Sequence, residues 1–539
     1  MTTIIVPATR WTPVSDAAAP AEGHPIFRAE LEITKVTQPI LDKSLEGNVP
    51  DGSDGSSDIR PDVDPIVTEH GPSVDLSGTS PKLNHPAIAA QFSNRAVIVF
   101  DAGIDGFRQF EAISGLWRAL ETDKATRLLA GFMKEISDDL HCPAILSMRT
   151  SGLLKAILAQ VRGMAVMGVE DVTAPRIHVT NGVVEFPDGI PTLRPRRPED
   201  WATTCSPCDY LPGAKAPRFL DGLIKPALPY SPDVDLLQRW FGSVLLGRND
   251  AQRLLLLHGE GESGKSTFVT IVEHVVGLDN FAELRTAHLG GRFESQFFQG
   301  KLLLAAKDVS PDTLLHKGAK ILKSLTGGDL LESEKKFAGK TRMRGCFNVV
   351  VTSNGRLLIA LADDESAWIR RLLVVEFHKA KRASSIANFD TVLLREEGPG
   401  ILAWGIEGAT KLLAELKSNG NYVLTKEQQK RVENVVLESR SVEEFIAQCV
   451  VVRAGADIAV EELHAAYLDF CQARGWMPVT TKTFQVKSPA LMVAQHGSHR
   501  TGHVARGGKL VRGFRGVALK RPPKGSSKLS TDRTRITTK

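Results

Sequence analysis

The sequence predicts an α/β protein organised around a phosphate-binding loop. An α+β module precedes this core, and a helix-and-hairpin unit follows it. Three observations carry the prediction. Leu254-Leu255-Leu256-Leu257-His258 is a short apolar run, suited to a fully buried strand, and it ends at Gly259. A tight polar loop follows, Glu260-Gly261-Glu262-Ser263-Gly264, and Lys265-Ser266-Thr267 then opens the amphipathic stretch Phe268 to Val276. Two more apolar runs, Lys301 to Asp308 and Cys346 to Asn354, also end on polar side chains.

The first two observations form one strand, loop and helix with the P-loop spacing G-x-x-x-x-G-K-S. Glycines let backbone N–H groups approach phosphate oxygens closely. The new helix points its positive end at the same phosphates. The spacing assigns Gly259 to Thr267 to the phosphates of a nucleotide. Lys265 reaches the β- and γ-phosphates, and the Ser266 hydroxyl ligates Mg²⁺. In the third observation Asp308 is placed to hold Mg²⁺ directly or through water, and Asn354 to orient the attacking water. Both follow strands, so the three polar ends can meet at the carboxyl edge of one parallel sheet. Taken singly, an Asp after a strand or a Ser-Asn-Gly sequence is more often a plain turn or cap.

Composition bounds the rest. A chain of 539 residues predicts three or four domains, and 42% hydrophobic residues can fill their cores. The net charge of +5 is mild, so partners must be argued from where the charge sits. Six scattered cysteines fit a reducing cytoplasm. Cys205-Ser206-Pro207-Cys208 lacks a second ligand pair at zinc spacing and reads as a turn. No apolar run approaches membrane-spanning length, and Met1 to Pro7 lacks the pattern of a signal peptide, so no membrane partner is expected.

In chain order, residues 1–86 read as a disordered leader, with Pro, Gly, Ser and Asp crowding Asn48 to Pro81. Residues 87–218 read as the α+β module. It holds a strand at Val97 to Phe100, helices at Ala125 to Ile136 and Leu153 to Met167, and a hairpin turning at Asn181-Gly182. Residues 219–380 are the nucleotide core. Inside it, Lys335-Lys336-Phe337-Ala338-Gly339-Lys340-Thr341-Arg342-Met343-Arg344 reads as a hairpin turning at Gly339, with cations on both arms. Lys335, Lys336, Lys340, Arg342 and Arg344 are candidates to grip a nucleic-acid backbone. The plainer reading is a charged edge that blocks strand pairing. Arg370-Arg371 precedes the strand Leu372 to Phe377 and is a candidate arginine finger for a neighbouring subunit, or a surface pair. Residues 381–440 read as a helical connector, with helices at Gly398 to Leu416 and Lys426 to Glu438. Residues 441–520 follow a helix, turn, helix and hairpin order with the outline of a winged helix that binds DNA. Residues 521–539 are a basic tail expected to be disordered.

Together these stretches resemble the superfamily 3 helicase core of poxvirus-type and satellite-phage-type primase-helicases. The resemblance rests on the P-loop and four further stretches. These are Leu289 to Phe298 before Gly300-Lys301, Lys323 to Asp329, Thr352-Ser353-Asn354, and Arg370-Arg371 before Phe377. It spans roughly residues 90 to 520. It implies an AAA+ ATPase, commonly a hexameric ring around DNA, with ATP sites between subunits. It also implies 3′-to-5′ unwinding in phage, plasmid or mobile-element replication, in the cytoplasm of a bacterial host. Carried over, Lys265 and Ser266 serve phosphate and Mg²⁺, Asp308 is the Walker B carboxylate, and Asn354 is the first sensor. Arg370 or Arg371 is the finger, and Lys340 sits near the tip of the DNA-binding hairpin.

Two departures stand out. The family's second strand commonly ends in an acidic pair or a Ser-Glu-like pair, whereas here it ends Lys307-Asp308. One carboxylate then serves both metal and water, with a cation beside it, which predicts slow turnover. The leader is also expected to be too short for a primase, which would come from a separate primase or polymerase. The competing expectation is an ATP-switched DNA-binding replication initiator with little unwinding. A small-molecule kinase would leave the basic hairpin and Arg370-Arg371 without a role.

Overall fold

The computed structural model describes residues 69–168, 174–286, 294–310, 314, 318–334, 340–361, 364–379 and 386–520. The expectations for residues 1–68, Lys335, Lys336 and residues 521–539 lie outside these. Two compact units emerge: one from the N-terminal residues to Gln109 together with Ala119–Met167, the other from Phe110–Arg118 together with Gly168 onward. None of the described helices is long and apolar enough to cross a membrane.

The first unit gathers three helices, His85–Ala96, Thr122–Asp139 and Ser151–Met164, around Phe92, Phe132, Met133 and Ile157. Strand residues Ile98 to Asp101 pair antiparallel with Gly106 to Gln109. Regular structure starts earlier than the expected boundary at residue 87. Val74–Asp75 pairs with Lys82–Leu83, and Val74 is buried in this core. The Asn84 side chain accepts the Ala87 N–H at 3.3 Å and so starts the first helix.

The second unit is built on a five-stranded, fully parallel sheet. Its strands are β1 (Leu254–His258), β2 (Phe281–Glu283), β3 (Leu303–Ala306), β4 (Asn348–Ser353) and β5 (Leu372–Glu376), in spatial order β2-β3-β4-β1-β5. Every residue of β1, β3 and β4 is buried, as continuous apolar runs require when both faces of a sheet are covered. One face meets Leu237, Trp240, Phe268, Ile271 and Trp404; the other meets Leu322, Trp368 and Val432. The chain leaves β1, returns through β2, β3 and β4 on one side, and then crosses to β5 on the other. The order therefore reverses at β1, and the crevice at a switch point opens at the carboxyl edge.

Two expected details differ. The hairpin of residues 176–185 pairs Val179 with Gly182, so its two central residues are Thr180-Asn181, not Asn181-Gly182. The Asn181 side chain is committed elsewhere, exchanging hydrogen bonds with Tyr210 at 2.9 and 3.1 Å. The connector helix is longer than expected, Phe389–Asn419, and carries Pro399 inside it. Gly398-Pro399-Gly400 reads as a break in isolation, but burial of Leu393, Ile401 and Leu402 on either side holds the helix through it.

Residues 441–520 form three helices, Ser441–Cys449, Val460–Arg474 and Thr481–His496, with a three-stranded antiparallel sheet. Its spatial order is Val450–Ala459, Lys509–Leu519, Arg500–Arg506. Phe445, Tyr467, Phe484 and Phe514 fill the core, with Tyr467 and Phe484 stacked at 4.9 Å. The Tyr467 hydroxyl meets the Ser441 hydroxyl and the Val479 N–H, both at 2.9 Å.

Candidate nucleotide-binding site

The loop after β1 needs a glycine at its first position for steric reasons. Gly259 sits at φ 150°, and a Cβ there would lie 2.0 Å from the Phe377 carbonyl oxygen. The loop then turns so that the Lys265–Val276 helix starts at its end. Lys265 is only 3% exposed. Its ammonium donates to the carbonyls of Gly259 and Glu260 at 2.8 and 2.9 Å, and to Ser263 Oγ at 3.1 Å. A fourth contact reaches Asn354 Oδ1 at 3.3 Å. Burial lowers the Lys265 pKa, and the Asp308 charge opposes that shift.

Asp308 lies just past β3. Both its carboxylate oxygens are 3.5 Å from Ser266 Oγ. Its φ of 52° is unusual for a residue with a Cβ, and neighbours hold it there. The Asp308 N–H donates to Thr352 Oγ1 at 2.9 Å, the Val309 N–H to the Thr352 carbonyl at 2.9 Å, and Ser353 Oγ to the Val309 carbonyl at 2.8 Å. The tips of β3 and β4 are thus tied together, which sets Asp308 and Asn354 on one edge. Lys265, Ser266, Asp308 and Asn354 converge there.

Hard divalent cations such as Mg²⁺ take oxygen ligands at about 2.0–2.1 Å, which puts neighbouring ligand oxygens about 3 Å apart. The Ser266 to Asp308 gap needs only a small side-chain closure to reach that spacing. The donor set of one hydroxyl and one carboxylate is of the hard-oxygen kind that this ion takes.

The cation expected beside Asp308 is turned away from it. Lys307 Nζ is 2.9 Å from Glu273 Oε2 on the loop's own helix. Glu273 is buried, and burial raises its pKa although Lys307 pulls the other way. Sequence reading saw the charge of Lys307 but missed this partner. It also missed three others. Thr352 was named only as part of the stretch ending the third strand, without its role in holding Asp308. Lys379 pairs with Glu262 of the loop at 2.7 Å. His258, at the tip of β1 and in register with Glu376, is 6% exposed, and burial pushes its pKa down to about 4.

Arg370 and Arg371 are not brought to this edge within the chain. They end the helix Glu365–Arg371, directly before Leu372, which pairs with Leu254 at the amino end of β1. The loop lies at the other end of that strand, about 13 Å away at the rise of a parallel strand. Arg370 is exposed.

The basic hairpin is corrected in one respect. Its strands are Leu330–Glu334 and Lys340–Arg344, with Glu334 opposite Lys340 and Glu332 opposite Arg342. The first arm is therefore acidic and apolar, and among the described residues the cations sit on the second. Arg342 and Arg344 are exposed. The register runs two residues earlier into the sequence than a turn at Gly339 alone suggested, because Leu331 and Met343 pair on the side packed to the core.

Residues 257–371 match a family of unknown function, DUF5906. That segment runs from the tip of β1 to Arg371 and holds every candidate residue named above for phosphate, metal and finger. Among solved structures the chain is similar to the A-form apo structure of the NrS-1 C-terminal region. The TM-score is 0.41 at 13% identity, over 79% of this chain and 98% of that one. An apo structure of the NrS-1 C-terminal region spanning 305–718 gives a TM-score of 0.39 at 11% identity, over 80% of this chain and 99% of that one.

Proposed function

We propose that this chain is an ATP-dependent DNA helicase of the superfamily 3 type, an AAA+ motor that works as a ring, commonly a hexamer. The observation that carries the reading is the meeting of Lys265, Ser266, Asp308 and Asn354 at the carboxyl edge of the sheet, beside the switch at β1. Lys265 exchanges its carbonyl contacts for the β- and γ-phosphates. Ser266 and Asp308 hold Mg²⁺, which when bound neutralises charge on the phosphate oxygens. Asn354, in reach of Lys265, orients the attacking water. Arg370 or Arg371 comes from a neighbouring protomer, which the position at the far end of the sheet supports. The ribbon ending at Lys340 carries the cations that track one DNA strand. The C-terminal unit, with its helix order and antiparallel sheet, is read as a winged-helix-like domain that recruits DNA or a partner. A primase or polymerase is the protein partner in this reading, and the setting is replication of a phage, plasmid or mobile element in a host cytoplasm.

A forked-duplex displacement assay tests the reading. ATP-dependent displacement by the native chain, abolished in Lys265→Ala, is the expected result. ATP-dependent oligomerisation without displacement would instead support the second reading, an ATP-switched DNA-binding initiator. One observation favours that alternative: Asp308 is the one carboxylate facing Ser266 among the described residues, so hydrolysis has a single acidic group to draw on.

A further inference from the structure

The C-terminal unit has a charge pattern that the nucleotide site does not use. Between Asp469 and Asp532 there is no Asp or Glu, while twelve Lys and Arg occur, against a whole-chain charge of +5. The remainder of the chain is therefore net negative, and the cationic character is concentrated here.

The fold gathers much of this charge on one ribbon, formed by Arg500–Arg506 and Lys509–Leu519. Arg506 pairs with Lys509, leaving Gly507-Gly508 as a two-residue turn with φ of 56° and 76°. Positive φ at both positions matches the tight hairpin turn that follows the natural strand twist. Arg506 is committed to structure, at 2.6 and 2.8 Å from Glu462. Arg515 is fixed across the ribbon by donating to the His503 carbonyl at 2.8 Å. Arg500, Lys509 and Arg512 are exposed and make no ion pair among the described residues. Leu510, next to the turn, is 65% exposed. A lone exposed apolar residue is ordinary on a surface, and in this place Leu510 is free to lie against a groove wall beside the cations.

The neighbouring helix Thr481–His496 is different. Its exposed side chains include Lys482, Gln485, Val486, Ala490 and Val493, with one cation among them. Burial lowers the pKa of the other lysine, Lys487, and Glu443 opposes that.

We infer that the ribbon, through Arg500, Lys509 and Arg512 with Leu510 at its tip, is a duplex-DNA backbone grip that binds without reading sequence, and that the Thr481–His496 helix is not its main phosphate contact. The inference takes its partner class from the DNA reading above. It does not depend on ATP hydrolysis, because the grip is complete without the P-loop.

The test is duplex binding by the whole chain without nucleotide, followed by fluorescence anisotropy on an arbitrary duplex at several salt concentrations. Each lost phosphate contact lowers the slope of log affinity against log salt by about 0.9. The double variant Lys509→Ala/Arg512→Ala should lose a slope of about 2 and weaken binding on the order of tenfold near 0.1 M salt. Lys482→Ala, an equally exposed control, should change affinity less than about twofold, and basal ATP hydrolysis should be the same in all three. An unchanged slope in the double variant, a loss carried by Lys482→Ala instead, or no duplex binding at low salt would each overturn the inference. Ribbon-dependent binding without strand displacement would keep it and remove the helicase reading; displacement with ribbon-independent binding would do the reverse.

Discussion

Arg356, two residues past Asn354, places a guanidinium 3.6 Å from the carboxylate of Glu438, which is 1% exposed. The same side chain donates to the Gly475 carbonyl at 3.3 Å, and Glu438 also accepts the Met477 N–H at 2.5 Å. Leu358, next but one along, is buried in the core of the C-terminal helices, while Leu357 and Ile359 are buried against the parallel sheet. The strand that carries the candidate sensor is therefore continuous with the packing of the last helices.

Arg356→Ala should leave Glu438 buried without a cation. The contact is longer than a hydrogen bond and Arg356 is partly exposed, so the expected loss is about 1–2 kcal/mol, below the range for a fully buried pair. Adding Glu438→Gln should recover most of it. Denaturant midpoints of the single and double variants check this, and an unrecovered double variant would show that packing of Arg356, not charge, is what counts.

Lys307 should prove structural. Lys307→Ala strips the cation from buried Glu273, and about 1–3 kcal/mol of stability should go with it. Hydrolysis should not speed up, because the ammonium faces the helix and not Asp308. Melting curves beside turnover rates settle the point: a faster, equally stable variant would contradict the geometry.

The distance between Arg370-Arg371 and the loop predicts complementation between subunits. Protomers carrying Lys265→Ala and protomers carrying Arg370→Ala/Arg371→Ala should each be inactive alone. Their mixture should hydrolyse ATP, since some interfaces then pair an intact loop with an intact arginine. A mixture as inactive as its parts would remove the finger role.

His258 gives the protein an acid-side weakness. Its folded pKa is about 4, against about 6.5 in the unfolded chain, so the unfolded state takes up the proton first. Its contribution is fully present above about pH 6.5 and drains away as pH falls towards 4, by up to about 3 kcal/mol. Glu376 opposes the shift, while Lys265, Arg356 and Arg431 add to it. His258→Gln should flatten that part of the stability profile relative to the native chain, as measured by denaturant unfolding between those two pH values. Parallel profiles would show that other groups dominate.

Local signals made much of this legible. The P-loop spacing located the helix that starts at Lys265, and apolar runs located β1, β3 and β4 because buried parallel strands need no alternation. Helical spacing located the helix from Lys426 to within one residue of its observed end at Ser439. Elements whose limits depend on distant contacts were harder. The long helix starts nine residues before the expected Gly398, at Phe389, and the Leu330–Glu334 arm hid behind the lysines that follow it.

By itself the sequence determined which side chains stand at strand tips, because a strand ends where its apolar run ends. It also determined that the second of those runs closes on a lysine and a carboxylate. Only the tertiary structure decided that Lys307 turns to Glu273, that Thr352 holds Asp308 at its unusual φ, and that Arg370-Arg371 lies at the opposite edge from Lys265. Partner choice and strand register depend on which buried groups must be satisfied across the sheet, and no local stretch of chain carries that information.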